Sequence, residues 1–244
     1  MKTLASEKFA PITWGPGFLN VPVERAAEVL LTWRRDLHPV VSAREVSGGF
    51  PGMLKNLEPL SAVRNREILV PVGPDWTAYF DSLTVGTDAA SAIGVLTRRA
   101  QATGFFARSI PHVVGHTKGQ VRRMGSVAFS MLAPFDTGRM NYVRTVQVTY
   151  TGSRWEFFLI GVEQPFEEVE RYSARKVRDR FTSDMLERYC QALGVDVFNL
   201  DAYGSTGILI ESEVVTQNPV ETRTLAQVQT MFGIVPGEAQ SLPG

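Results

Sequence analysis

The segment YVRTVQVTYTGSRWEFFLIGV, residues 142–162, decides the fold. Val146, Val148 and Tyr150 alternate with Thr145, Gln147 and Thr149, the period of a strand with one buried face. Gly152-Ser153 suits a two-residue hairpin loop with glycine first. With those two residues as the loop, Tyr150 faces Trp155, Val148 faces Phe157 and Val146 faces Leu159. The six side chains then share one face, which is expected to be core. The opposite face carries Thr145, Gln147, Thr149, Glu156, Phe158 and Ile160. Its mixed character predicts partial cover or a groove.

Working outward, the longest helix is expected over Phe166–Leu193. Val177, Phe181 and Met185 form a stripe, and Glu167 with Arg171 and Asp184 with Arg188 are acid-before-base pairs at i, i+4. Upstream, Ala26, Leu30, Trp33 and Leu37 mark a helix over Pro22–Asp36, and Val40–Val46 reads as a strand. Gly52–Leu60 suits a short helix and Ile68–Val72 a strand. Past the Gly73-Pro74-Asp75 turn, Trp76, Ala78 and Phe80 alternate with Thr77, Tyr79 and Asp81. A helix over Asp88–Thr103 should end at Gly104, with a strand at Phe105–Ile110 and one long or bent strand at Val121–Leu132. Ile208–Thr216 is a last strand and Thr224–Phe232 a last short helix. This order lacks a βαβα rhythm. It predicts an α+β fold, a largely antiparallel β-sheet with helices packed mainly on one face. Residues 1–232 read as one domain, and residues 233–244 as a flexible C-terminal tail.

Lysine and arginine number 25, as do aspartate and glutamate, so no overall field favours nucleic acid or an anionic membrane. Arginine far outnumbers lysine, a mark of GC-rich coding that suggests a bacterial source. The first ten residues lack an apolar signal core and no apolar run is long enough to span a bilayer, so a cytoplasmic location is expected.

Catalytic patterns are sparse. Gly48-Gly49 lacks the Gly-Lys-Ser/Thr signature of a phosphate loop and reads as a turn, and no cofactor is expected. His112 and His116 have metal-ligand spacing only on a helix, which Pro111, Gly115 and Gly119 oppose, so no metal is expected. Gly204-Ser205-Thr206-Gly207 reads as a turn. Cys190, the only cysteine, reads as a buried inert thiol. Arg171, Arg175 and Arg178 would share a helix face, diluted by neighbouring acids into a solvated, salt-bridged surface.

The most distinctive stretch is Trp76–Asp88. If the apolar triad of its strand is core, Tyr79 and Asp81 face the less apolar side, near Thr87 and Asp88 at a helix start. The candidate binding residues are therefore Tyr79, Asp81, Asp88, Arg144 and Glu156. The function expected is a non-enzymatic protein-binding module, immunity-like or used in assembly. Its partner would be another protein, with self-association left open. The rival is an enzyme acting on a small molecule in a polar cleft on the mixed sheet face, with Asp81, Arg144 or Glu156 as acid, base or anion-holder.

Overall fold

The structure, a computed structural model, describes residues 1–115 and 121–235. Its centre is a nine-stranded sheet. In chain order the strands are β1 (Gly17–Leu19), β2 (Val41–Ser47), β3 (Arg66–Val72), β4 (Trp76–Asp81), β5 (Gly104–Ile110), β6 (Ser126–Leu132), β7 (Tyr142–Tyr150), β8 (Trp155–Gly161) and β9 (Thr206–Ser212). Their spatial order is β8-β7-β6-β5-β1-β4-β3-β9-β2, and every neighbouring pair is antiparallel. The α+β class and the antiparallel sheet are thus as the sequence indicates. So is the hairpin register: Tyr150 pairs with Trp155, Val148 with Phe157 and Val146 with Leu159.

The helices are α1 (Val23–Leu37), α2 (Ala89–Ala100), α3 (Ser183–Ala192) and α4 (Leu225–Phe232). The two longest, α1 and α2, lie on one face. Ala26 and Leu30 of α1 and Ala92, Ile93 and Leu96 of α2 pack there with Leu19, Leu69, Tyr79, Phe106 and Ile210 of the sheet. Helix α2 seats closely because β1 and β5 offer it glycines. A Cβ on Gly17 or Gly104 would come within 2.4 Å or 2.8 Å of Ile93 side-chain atoms. Gly104 therefore serves as floor for α2 rather than as its cap; Gln101, in the left-handed region, ends that helix. The other face holds the larger apolar cluster, where Phe80, Phe105, Phe129, Val146 and Val148 meet Met53 and Leu54 and, from α3, Leu186 and Tyr189. Phe18 stacks on Phe105 with ring centroids 4.7 Å apart.

Several expectations are corrected. Residues 166–193 do not form one helix. Val169–Ser173 and Val177–Asp179 are separate 3-10 turns, and α3 starts only at Ser183. Thr182 is extended and its side chain accepts from the Met185 amide, so a capping signal inside the periodic stretch restarts the helix. The pairs Glu167–Arg171 and Asp184–Arg188 are replaced by Glu167–Arg144, Glu168–Arg188 and Asp184–Lys2, and the shared face of Arg171, Arg175 and Arg178 goes with the helix. Leu159, assigned to the core, is 39% exposed because β8 is the edge strand. The run Val121–Leu132 breaks at Met124-Gly125; Val121–Arg123 pairs with Val113–Val114, outside the main sheet. In the stretch assigned to a tail, Ile234 is buried beside Ala10 and Trp14, and residues 236–244 lie outside the described ones.

The two aromatic positions Phe105 and Phe158 test this layering. Phe105→Ala should cost about 3–5 kcal/mol, as for a fully enclosed aromatic. Phe158→Ala, at a 51% exposed site, should stay within about 1 kcal/mol of wild type. Urea denaturation midpoints decide it, and equal losses would contradict the assignment of β8 to the edge.

Candidate functional site

Period-two geometry puts Thr77, Tyr79 and Asp81 on one face of β4, and helices α1 and α2 cover that face. Tyr79 and Asp81 are therefore 0% exposed, against the expectation that they face a less apolar, open side. Buried polar groups must find partners, and these come from elsewhere in the chain. Arg34 of α1 donates Nε and Nη2 to the two oxygens of Glu67, at 2.5 and 2.6 Å. The Tyr79 hydroxyl donates to Glu67 Oε1 at 2.6 Å. Asp81 Oδ2 accepts from Arg64 Nε at 2.9 Å and from the Asp88 amide at 3.1 Å, while Oδ1 accepts from the Leu83 amide at 3.2 Å. Arg64 Nη2 continues to Asp88 Oδ2 at 3.0 Å. One line of charge runs from α1 across the sheet to the start of α2.

Burial pushes the Asp81 carboxyl up to about 6, and the Arg64 charge and the Leu83 amide, which favour ionisation, do not offset it. Burial also raises the Tyr79 phenol, with Glu67 and Asp81 adding to the effect. Arg108 of β5 lies near the same network. Burial lowers its pKa and the Asp88 charge opposes the shift.

Three of the five residues chosen from sequence, Tyr79, Asp81 and Asp88, thus come together. The other two do not join them. Arg144 forks onto Glu167 at 2.6–3.1 Å, and Glu167 also accepts from Tyr172, which pins residues 166–172 to β7. Glu156 is exposed, and among the described residues its side chain pairs with Arg154, at 3.0 Å. Strands β1, β5 and β6 separate β4 from β7. At about 4.8 Å per strand that spacing is about 19 Å, too far for Asp81 and Arg144 to act on one small molecule.

A second locus lies on the opposite face, and no catalytic or binding motif in the sequence marks it. A cavity of about 270 Å³ opens between the hairpin, the turn at 177–179 and the start of α3. Val127, Val148 and Phe181 form its floor, with Trp155, His112 and Arg178 among its walls. His112 sits between Tyr150 and Trp155, with centroids at 4.4 and 5.2 Å. The Gly125 amide donates to His112 Nδ1 at 3.3 Å. Only glycine permits this approach, since a Cβ there would lie 2.6 Å from His112 Cβ and 2.8 Å from the Trp155 ring. An isolated glycine before a β run is the one trace of the cavity in the sequence. Burial, with the Arg178 charge, lowers the His112 pKa.

Among the described residues no cluster of His, Cys, Asp and Glu is arranged to hold a metal ion, and His116 lies outside them. Cys190 is buried, and burial raises its thiol pKa. No described helix is long and apolar enough to cross a membrane. These features define an α+β protein with an open antiparallel sheet, a buried ionic line on one face and a small cavity on the other. Compared with known proteins, the chain matches no family model, no curated protein and no solved structure.

Asp81 makes the ionic line testable through pH. Its folded pKa is about 6, above the ordinary carboxyl value of 3.8. Below about pH 3 the carboxyl is protonated in both states. As pH rises through about 6 the folded state loses the stability that protonation supplied, about 3 kcal/mol in full. Asp81→Asn removes the titration, so its stability relative to wild type should improve by about that amount from pH ~4 to pH ~7. Urea unfolding of both proteins at the two pH values measures it. A difference that does not change with pH would contradict the raised pKa.

Proposed function

We propose that this chain is a protein-binding module, immunity-like or used in assembly in the bacterial cytoplasm, that takes up an extended segment of its partner along the outer edge of β8. The single observation behind this reading is the character of that edge. The Thr151 amide bonds to the Arg154 carbonyl at the hairpin and the Val162 amide to the Val143 carbonyl at the far end. Those bonds set the alternation, so Glu156, Phe158 and Ile160 direct their backbone groups at β7. Trp155, Phe157 and Leu159 direct theirs outward, where among the described residues they have no hydrogen-bond partner. Beside them Phe158, Leu159 and Val162 are 51%, 39% and 69% exposed. Phe135 and Met140, in the β6–β7 connection that meets this end of the hairpin, are exposed as well.

An unpaired, apolar strand edge is a template for strand addition, in which main-chain bonds supply affinity and alternate side chains supply specificity. The opposite edge, β2, is blunted: Arg44 and Glu45 are exposed on it, and Arg44 reaches Glu211 at 3.5 Å. The contrast within one sheet favours β8 as the docking strand.

Proline distinguishes strand addition from contact by side chains alone. Leu159→Pro deletes an outward N–H and should leave the fold intact, because proline is tolerated where an edge strand faces solvent. Phe158→Pro deletes an inward N–H and should destabilise. Capture from the native host with wild-type protein and the Leu159→Pro variant should yield a partner that the variant loses. In the complex, amide exchange at Phe157 and Leu159 should slow. A partner retained equally by the folded variant would overturn strand addition.

A further inference from the structure

We propose that the cavity beside His112 is a binding site for a small aromatic carboxylate, with the ring on the apolar floor and the carboxylate on His112 Nε2 and Arg178. The volume, about 270 Å³, suits a single ring with a short acidic arm rather than a nucleotide-sized cofactor. The floor of Val127, Val148 and Phe181 and the Trp155 wall supply apolar area and one aromatic neighbour.

The polar groups are donors in search of an acceptor. His112 Nδ1 already accepts from the Gly125 amide, which places the neutral ring's proton on Nε2. Nε2 has no hydrogen-bond partner among the described residues. Arg178 carries five guanidinium donors, yet among the described residues its one ion pair is with Asp179 at 3.9 Å, and no hydrogen bond uses the donors. The acids on the cavity wall are Asp179 and Asp184. Asp184 is paired with Lys2 at 3.4 Å, while the 3.9 Å contact between Asp179 and Arg178 is beyond hydrogen-bond distance and saturates neither group, so an amine is the competing ligand for this cavity. Thr182 and Ser183 are occupied too: the Thr182 hydroxyl caps the Met185 amide, and Ser183 Oγ accepts from the Lys2 amide at 2.8 Å. His112 Nε2 and the Arg178 guanidinium are thus donors left open at the cavity, and a carboxylate matches both the Arg178 charge and the planar, two-oxygen geometry that these donors can grip.

Calorimetric titration of the full chain with phenylacetate, phenylacetamide and benzylamine tests the assignment. Phenylacetate should bind, with the neutral amide at least about tenfold weaker and the amine undetectable. Arg178→Gln should weaken phenylacetate by about tenfold or more, and His112→Ala should weaken it further, with the circular dichroism spectrum of each variant unchanged. The ligand series needs only wild-type protein, so it decides the matter even where a variant misfolds. Benzylamine binding as well as phenylacetate would overturn the proposal, as would absence of phenylacetate binding at millimolar concentration or equal affinity in folded Arg178→Gln.

Discussion

The buried line of charge from Arg34 through Glu67, Tyr79, Asp81 and Arg64 to Asp88 governs how the two long helices sit on the sheet. Ion pairs of this kind add little net stability over well-packed apolar residues. Separating their members is another matter, because it leaves a charge buried alone at a cost of about 3–5 kcal/mol. A displaced α1 would strand Glu67. A displaced α2 would leave Asp81 without the Asp88 amide and Arg64 without its second carboxylate. The network thus acts against wrong placements more than it favours the right one. Gly17 and Gly104 complement it sterically, since they admit α2 at close range over β1 and β5.

The second constraint is that an open sheet has two ends. Here they are finished differently, one in charged side chains and the other in aromatic and aliphatic ones. The apolar end is also where the cavity lies, and Trp155 belongs to both: it begins β8 and walls the pocket. Arg144 and Glu167 hold this end together from beneath, through a fork buried between β7 and the segment that follows the hairpin.

The hairpin was legible because strand period and turn chemistry are local, and its register follows from Gly152-Ser153 alone. The environment of Asp81 was not legible for the opposite reason. Alternation tells which residues share a face but not what covers that face, and Arg34 and Arg64, which make burial tolerable, come from α1 and from the approach to β3. Residues 166–193 show a different limit. Helical spacing persists through the stretch, but Thr182 caps a new helix, and Glu167 is drawn to Arg144 of β7 instead of to Arg171. The cavity depends on five separate segments that meet only in space, so in the sequence His112 reads as a loop residue. Strand β1 escaped notice because three residues are too short for any period to show, although it is the centre of the sheet.

Strand order also sets an order of assembly. Strands β5 to β8 are neighbours in sequence and in space, so that half of the sheet forms from short-range contacts and can form early. The other half waits. Strand β9, the last made, inserts between β3 and β2, and until residues 206–212 emerge β2 has no strand partner at all. During synthesis, then, the first half-sheet to mature is the one whose outer strand, β8, carries the apolar edge. A nascent chain of this protein exposes the open edge of β8 before its own core is closed.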